Sequence, residues 1–293
     1  MFVHAGAYEA GENLFTVAAG DVNGDGHADL VVAGYASGTI GMLLNDGNGI
    51  FTAAPLYPLG EGAFGVALAD MDGDGNLDVV ATNQPYGQVS ILYNRGDGML
   101  ESRIDLSAGG SPHIAVVADF DRDGRPDLAI PNYQVSAASI FMNLGQGSFS
   151  DRIVYNTHET PFWAVAVDLD GGGGPDLVTT SYSQGYLDVL WNGGDGKLGV
   201  RATFPVGENL WSISAADVSG DGAEDLIVTE YTSGRVSVLL NSGDGTLAAP
   251  VHYDTRGNGP CWAIPFELNG DGAPDIAVVD AATSVVTILR NDG

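Results

Sequence analysis

The 293-residue chain carries 38 acidic residues against 10 basic ones, a formal net charge of −28, and 44% of it is hydrophobic. So acidic a chain excludes nucleic acid as a partner and disfavours an anionic membrane surface, because both need basic groups. The apolar content excludes a disordered chain, and the 43 glycines, about twice average usage, favour tight turns and short strands over long helices.

Taken from the N-terminus, MFVHAGAYEAGENLF has neither the basic start nor the apolar run of a signal peptide. If the protein is exported, its signal was trimmed or the chain is cut from something larger. The first acidic nine-residue motif begins at Asp21, and others follow at Asp70, Asp119, Asp168, Asp217 and Glu267, spaced by 49 residues and by 50 for the last. Six such periods fill nearly the whole chain, which predicts a single domain over residues 1–293. Each unit reads alike. An apolar run such as FGVALA (64–69) precedes the acidic loop; DVVATN (78–83), a turn, and VSILYN (89–94) follow it, and a GDG turn leads to a fourth segment such as GIFTAAPLYPLG (49–60). Short β-branched runs punctuated by glycine are strands, four to a unit, and radial repetition of four-stranded antiparallel sheets predicts an all-β, six-bladed β-propeller. Phe2 aligns with Phe51, Leu100, Phe149, Leu198 and Leu247 at the head of the fourth strand, so the N-terminal strand is expected to close the last blade. Cys261, the single cysteine, forms no disulfide within the chain and reads as a small buried hydrophobe. No stretch reaches the ~18 apolar residues of a membrane span, so no membrane insertion is expected.

The acidic loops present oxygen donors at positions 1, 3, 5 and 9, with a backbone carbonyl at position 7. That set suits calcium, which takes six to eight oxygens in flexible geometry, and glycine at position 6 permits the sharp turn. The candidate ligands are Asp21, Asn23, Asp25, His27 and Asp29 in the first loop; Asp70, Asp72, Asp74, Asn76 and Asp78 in the second; and Asp119, Asp121, Asp123, Arg125 and Asp127 in the third. The fifth loop offers Asp217, Ser219, Asp221, Ala223 and Asp225, and the sixth Glu267, Asn269, Asp271, Ala273 and Asp275, the position-7 residues serving through their carbonyls. In the fourth loop Asp168, Asp170 and Asp176 remain but Gly172 replaces the position-5 carboxylate, so this loop is expected to be weak or empty. About five calcium ions per chain follow. A single Asp-Gly cluster would be as well explained as a turn. Copies in phase are not.

These loops, with LLNDGNGIF (43–51), LYNRGDGML (92–100) and LLNSGDGTL (239–247) after the third strands, resemble the FG-GAP or VCBS repeat family. That family supplies the integrin α-subunit propeller, many bacterial exported proteins and calcium-loop propeller lectins. The resemblance implies calcium in the loop between the first and second strands of each blade, and a secreted or cell-surface location. The fourth loop departs from the pattern, and integrin propellers carry one blade more. Family membership does not fix function, since these propellers serve as adhesion modules, lectins and domains of polysaccharide-degrading enzymes.

If the starts of the first strands share a rim with the turns after the second strands, opposite the calcium loops, aromatic and polar side chains gather there. Candidate ligand-binding residues are Tyr35, Asn83, Tyr86, His113, Asn132, Tyr133, Tyr182, Trp211, Glu230, Tyr231 and Asp280. Ring faces beside amides and carboxylates suit sugars, which stack a CH-rich face and hydrogen-bond through hydroxyls. Packing between blades explains the Phe and Trp positions equally well. No nucleophile elbow or phosphate loop appears, so no catalytic site is assigned. The sequence reads as a monomeric, calcium-stabilised extracellular module binding a glycan. The alternatives are a protein-adhesion propeller with an extracellular protein ligand, a polysaccharide lyase or hydrolase domain, and an engineered ring without a native ligand.

Overall fold

A computed structural model describes residues 6–293, which contain strands and turns and no helix. The strands form six antiparallel sheets of three to five strands, the blades of a six-bladed β-propeller, and one separate two-stranded sheet, Asn143–Gly145 with Ser148–Phe149. In the second blade Ala63–Ala69, Asp78–Asn83, Gln88–Asn94 and Leu100–Ser107 pair in that order, and the fourth blade repeats this with Pro161–Val167, Asp176–Ser181, Tyr186–Asn192 and Leu198–Pro205. The first blade breaks its fourth strand into Phe51–Ala53 and Tyr57–Pro58, both paired with Thr39–Asn45. The sixth has three strands among the described residues, Pro260–Phe266, Asp275–Asp280 and Val285–Leu289. The segment at Phe2 expected to complete it lies outside the described residues.

The chain divides into two compact units, and the division falls inside the third blade. Within each unit the apolar side chains fill the spaces between neighbouring blades. In the first unit Val31, Ile40 and Met42 of one blade meet Val79 and Ala81 of the next, and beyond these Val80, Val89 and Ile91 meet Leu128, Ile130 and Phe141. In the second unit Ile227, Val236 and Val238 pack on Ala263, Ile276 and Val278. In the second and fourth blades the second strand is covered on both faces: every residue of Asp78–Asn83 and of Asp176–Ser181 is buried. A strand sandwiched on both faces reads as a continuous rather than alternating apolar run, which is the pattern of DVVATN.

Each acidic loop joins the end of a first strand to the start of a second, as in Ala69 to Asp78. The turn after the second strand lies at the other end of the blade, beside the start of the first strand, where Ala63 pairs with Asn83. The loops and the rim proposed for ligand are therefore at opposite ends of each blade.

Candidate metal centres and the opposite rim

The carboxylate at position 1 organises each loop before any cation is considered. Asp70 Oδ1 accepts the N–H groups of Gly73 at 2.8 Å and Asp74 at 3.1 Å, and its Oδ2 that of Gly75 at 2.9 Å. Gly75 can make this turn because its φ of 92° places no Cβ in conflict. Asp21 and Asp217 are held the same way, and Glu267 accepts the N–H groups of Asn269, Gly270 and Gly272; these donors keep the three carboxyls below their ordinary range, the bond from Gly26, Gly222 and Gly270 respectively being the largest cause. The position-9 carboxylate is fully buried. Asp78 accepts Met71 N–H at 2.8 Å on one oxygen and Asn94 N–H at 2.8 Å on the other, tying the loop to the turn after the third strand. Asp29, Asp176, Asp225 and Asp275 make the same two bonds in their own blades.

In the second loop ligand atoms of Asp70, Asp72 and Asp78 all lie within 4.8 Å of one another, and in the fourth so do those of Asp168, Asp170 and Asp176. Burial raises the carboxyls of Asp78 and Asp176 to about 6, and their neighbouring loop carboxylates push in the same direction. The three converging carboxylates of the second loop form a hard-oxygen donor set of the kind that calcium takes. That loop also opens onto a polar hollow of about 480 Å³ lined by Asp72, Asp74, Tyr93 and Asn94, roomy enough for the water that calcium keeps. Position 5 does not join the triplet. Asp74 Oδ1 instead accepts Asn76 N–H at 2.8 Å, as Asp25 accepts His27, Asp221 accepts Ala223 and Asp271 accepts Ala273, each at 2.9 Å. Asn23 and Asn269 likewise hold the N–H of Asp25 and Asp271, and Ser219 Oγ reaches Asp217 at 3.4 Å. The boundary between the two units falls within the third loop, after Asp123, whose N–H bonds to Asp119 at 3.1 Å and Asp121 at 3.2 Å. Beyond the boundary Asp127 accepts Asn143 N–H at 2.7 Å, and Arg125 Nε donates to Asn143 O at 2.7 Å.

One device escaped the sequence reading. In the second to sixth blades the asparagine that opens the turn after the third strand donates its Nδ2 to a carbonyl in the preceding blade's acidic loop, whereas Asn45 of the first blade donates to Ala28 O in its own. Asn94 reaches Val22 O at 2.7 Å, Asn143 reaches Met71 O at 2.9 Å, Asn192 reaches Phe120 O at 2.8 Å, Asn241 reaches Leu169 O at 2.9 Å and Asn291 reaches Val218 O at 2.8 Å. The acidic loop is thus tied to the next blade as well as to its own. The signal available in sequence was the fixed asparagine in LLNDGNGIF, LYNRGDGML and LLNSGDGTL.

At the opposite rim the register of the first strand slips, between Ala63 and Val66 in the second blade and between Pro161 and Ala164 in the fourth. These bulges carry the aromatic positions, and a bulge re-aims its side chains. Phe15, Phe64 and His113 stack in a row at centroid separations of 4.6 and 4.8 Å, with Tyr133 on His113 at 5.1 Å and Tyr35 against Phe15 at 5.3 Å. In the second unit Trp211 packs on Phe162 and stacks on Tyr231, each at 4.7 Å, with Tyr182 against Phe162 at 5.5 Å. His113 is buried and the tyrosines 35, 133, 182 and 231 are half-buried, so these rings pack blade on blade. Tyr86 is exposed at 61%. The expected polar partners turn inward. Asn83 bonds Leu59 O and Gly60 O, Asn132 bonds Ser139 Oγ at 2.9 Å, Asp280 holds Gly259 N–H and Thr283, and Glu230 meets Ser233, Ser237 and His252; all four are buried. They hold turns in place and present no group to solvent. What does open at this rim is a groove of about 340 Å³ in the first unit, lined by Gln84, Ser111, His113, Tyr133 and Gln134 among others. Cys261 is half-buried, and desolvation raises its thiol.

The family model for FG-GAP-like repeats matches residues 21–81, 70–130, 168–228 and 217–278. No curated protein matches the sequence. Among solved structures, an Agrocybe aegerita lectin described as recognising non-reducing terminal N-acetylglucosamine is similar over 94% of this chain and 80% of its own, with 20% identity and a TM-score of 0.64. A virginiamycin B lyase from Staphylococcus aureus is similar over the same shares with 14% identity and a TM-score of 0.64. A Lactobacillus plantarum protein is similar over 98% of this chain and 87% of its own, with 15% identity and a TM-score of 0.68. At these identities the likeness is one of fold.

Proposed function

Because this chain belongs to the family of FG-GAP-like repeat proteins, we propose that it is a calcium-stabilised binding module that takes a glycan at the blade ends opposite its acidic loops. The groove over His113 and Tyr133 carries this reading. The half-buried Tyr133 lines the groove with apolar ring surface for the CH-rich side of a sugar, and the amides of Gln84 and Gln134 with the Ser111 hydroxyl offer donors and acceptors for its hydroxyls. Its volume is at the lower end of small-ligand pockets, which suits a terminal sugar rather than a long chain. The fold shared with a lectin that recognises terminal N-acetylglucosamine supports the ligand class. The module binds without turnover. It works outside the cell, where millimolar calcium fills loops of modest affinity.

Binding to immobilised glycans, with terminal N-acetylglucosamine among them, tests the reading. Tyr133→Ala is expected to abolish binding while the melting temperature in calcium stays within about 4 °C of the parent. Retained binding in that variant, or no glycan bound at all, would overturn it. The calcium part is tested separately: excess calcium is expected to raise the melting temperature and chelator to lower it, because an ion bound only by the folded state stabilises it by mass action.

A further inference from the structure

One position of the repeat changes character at the groove. Fourteen residues after the start of each acidic motif stand Tyr35, Gln84, Tyr133, Tyr182, Tyr231 and Ala281. Each of the four tyrosines packs on the ring that stands six residues before the motif in its own blade. Tyr35 meets Phe15 at 5.3 Å, Tyr133 meets His113 at 5.1 Å, Tyr182 meets Phe162 at 5.5 Å and Tyr231 meets Trp211 at 4.7 Å. Two of them also reach the corresponding ring of the next blade, Tyr35 to Phe64 at 6.2 Å and Tyr182 to Trp211 at 5.8 Å. By the same geometry a tyrosine at position 84 would lie against Phe64 and His113. Gln84 has no ring to put there, and Gln84 and His113 both line the groove.

The Gln84 amide is held in one orientation. The Tyr35 hydroxyl donates to its Oε1 at 3.2 Å, and the two Nε2 protons have no acceptor among the described residues. Ser111 lines the same groove and is exposed at only 6%, and its Oγ likewise has no hydrogen-bond partner among the described residues. Polar groups so sheltered are normally satisfied, and here a ligand in the groove can satisfy them. None of the described residues lining it is acidic, lysine or arginine. Burial pushes the His113 imidazole down to about 4, so it is uncharged at neutral pH. A carboxylate or sulfate brought here would meet no cation, in a molecule whose net charge is −28.

We propose that Gln84 is the specificity-determining residue of the groove. Standing where the repeat has a tyrosine, it opens the space, and its Nε2 donates to an oxygen of a neutral sugar. The site takes neutral glycans and rejects acidic ones. This inference rests on the glycan reading of the groove.

The parent, Gln84→Tyr and Gln84→Glu are compared on immobilised neutral glycans and on their uronate-bearing and sialylated counterparts, with melting temperatures taken in calcium. The parent is expected to bind among the neutral glycans only. Gln84→Tyr restores the ring, and is expected to lose binding while melting no more than about 4 °C below the parent. Gln84→Glu keeps an acceptor for Tyr35 and loses the donor, so its affinity for the neutral glycan is expected to fall about tenfold or more. A parent that prefers acidic glycans overturns the proposal, as does unchanged binding in either variant. So does a Gln84→Tyr chain that melts lower than stated, because the groove would then not be the place of a ring. Tyr133→Ala separates this inference from the reading beneath it. If that variant loses a glycan that both Gln84 variants still bind, the groove is the site and the role of Gln84 falls; if the parent binds no glycan, both fall.

Discussion

Asn94 closes a circuit of hydrogen bonds at the base of the second blade. Its N–H donates to the buried Asp78, and its Nδ2 donates to Leu77 O in its own blade and to Val22 O in the blade before. Alanine at this position leaves Leu77 O without this donor and Val22 O with the Gly98 N–H at 3.0 Å alone, and Asn94→Ala is expected to cost about 2 kcal/mol. Asn45→Ala removes an exposed bond to Ala28 O and is expected to cost under about 1 kcal/mol. Urea unfolding of both variants measures the difference, and equal losses would mean that the bond across blades contributes nothing. The acidic residues of this circuit were legible because Asp and Gly recur in phase. The asparagine's role was not: its amide meets a carbonyl 72 residues away, and no local pattern encodes that. His113 gives a second prediction at this scale. Burial pushes its imidazole down to about 4, against about 6.5 in an unfolded chain. Between those values the unfolded state binds the extra proton, so stability falls as pH drops through 6.5 and the loss is complete near 4. The contribution is about 3 kcal/mol across that window. Asp78 and Asp176, raised to about 6, act in the opposite sense, so the comparison must be with His113→Phe. That variant is expected to lose less stability than the parent between about pH 7 and 4, and parallel curves would refute the assignment.

The bulged first strand is the element that separates rim from loop. Two residues oppose one across the slip, which frees a backbone N–H, and a threonine of the second strand takes it up. Thr82 Oγ1 accepts Gly65 N–H and donates to His113 O in the next blade, both at 2.8 Å. Thr180 and Thr229 accept Trp163 and Ser212 N–H at 3.0 and 2.9 Å. Thr82→Val keeps the shape and strips both bonds from a buried site, and is expected to cost about 2–3 kcal/mol by urea unfolding. A loss below about 1 kcal/mol would mean the bulge holds itself. Strand positions and loop positions were readable because apolar runs and Asp-Gly clusters alternate at a fixed period. The facing of the rim residues was not. A bulge shifts the inside-outside alternation by one residue, so Phe64, Phe162 and Trp211 pack inward in rows. The side chains of Asn83, Asn132, Glu230 and Asp280 turn back to hold the adjoining turns. Polar character at a turn marked them for ligand, and burial gives them to the fold.

The net charge of −28 belongs to the whole molecule, and more than half of the acidic residues sit in the acidic loops. Carboxylates crowded there repel one another through solvent, and that repulsion is screened over about 8 Å at physiological ionic strength. Metal ions remove it at its source; salt only damps it. The two remedies should therefore compete. In chelator, raising sodium chloride from about 0.02 M to about 0.5 M shortens the screening length several-fold and is expected to raise the melting temperature by several degrees. In saturating calcium the same change is expected to have little effect, because the charges that salt would screen are already neutralised. Magnesium in place of calcium should leave most of the salt dependence intact, since it demands tighter octahedral geometry and gives up its water reluctantly. Equal salt dependence in calcium and in chelator would place the repulsion outside the loops, on the remaining acidic surface. The acidic composition would then serve solubility rather than metal binding.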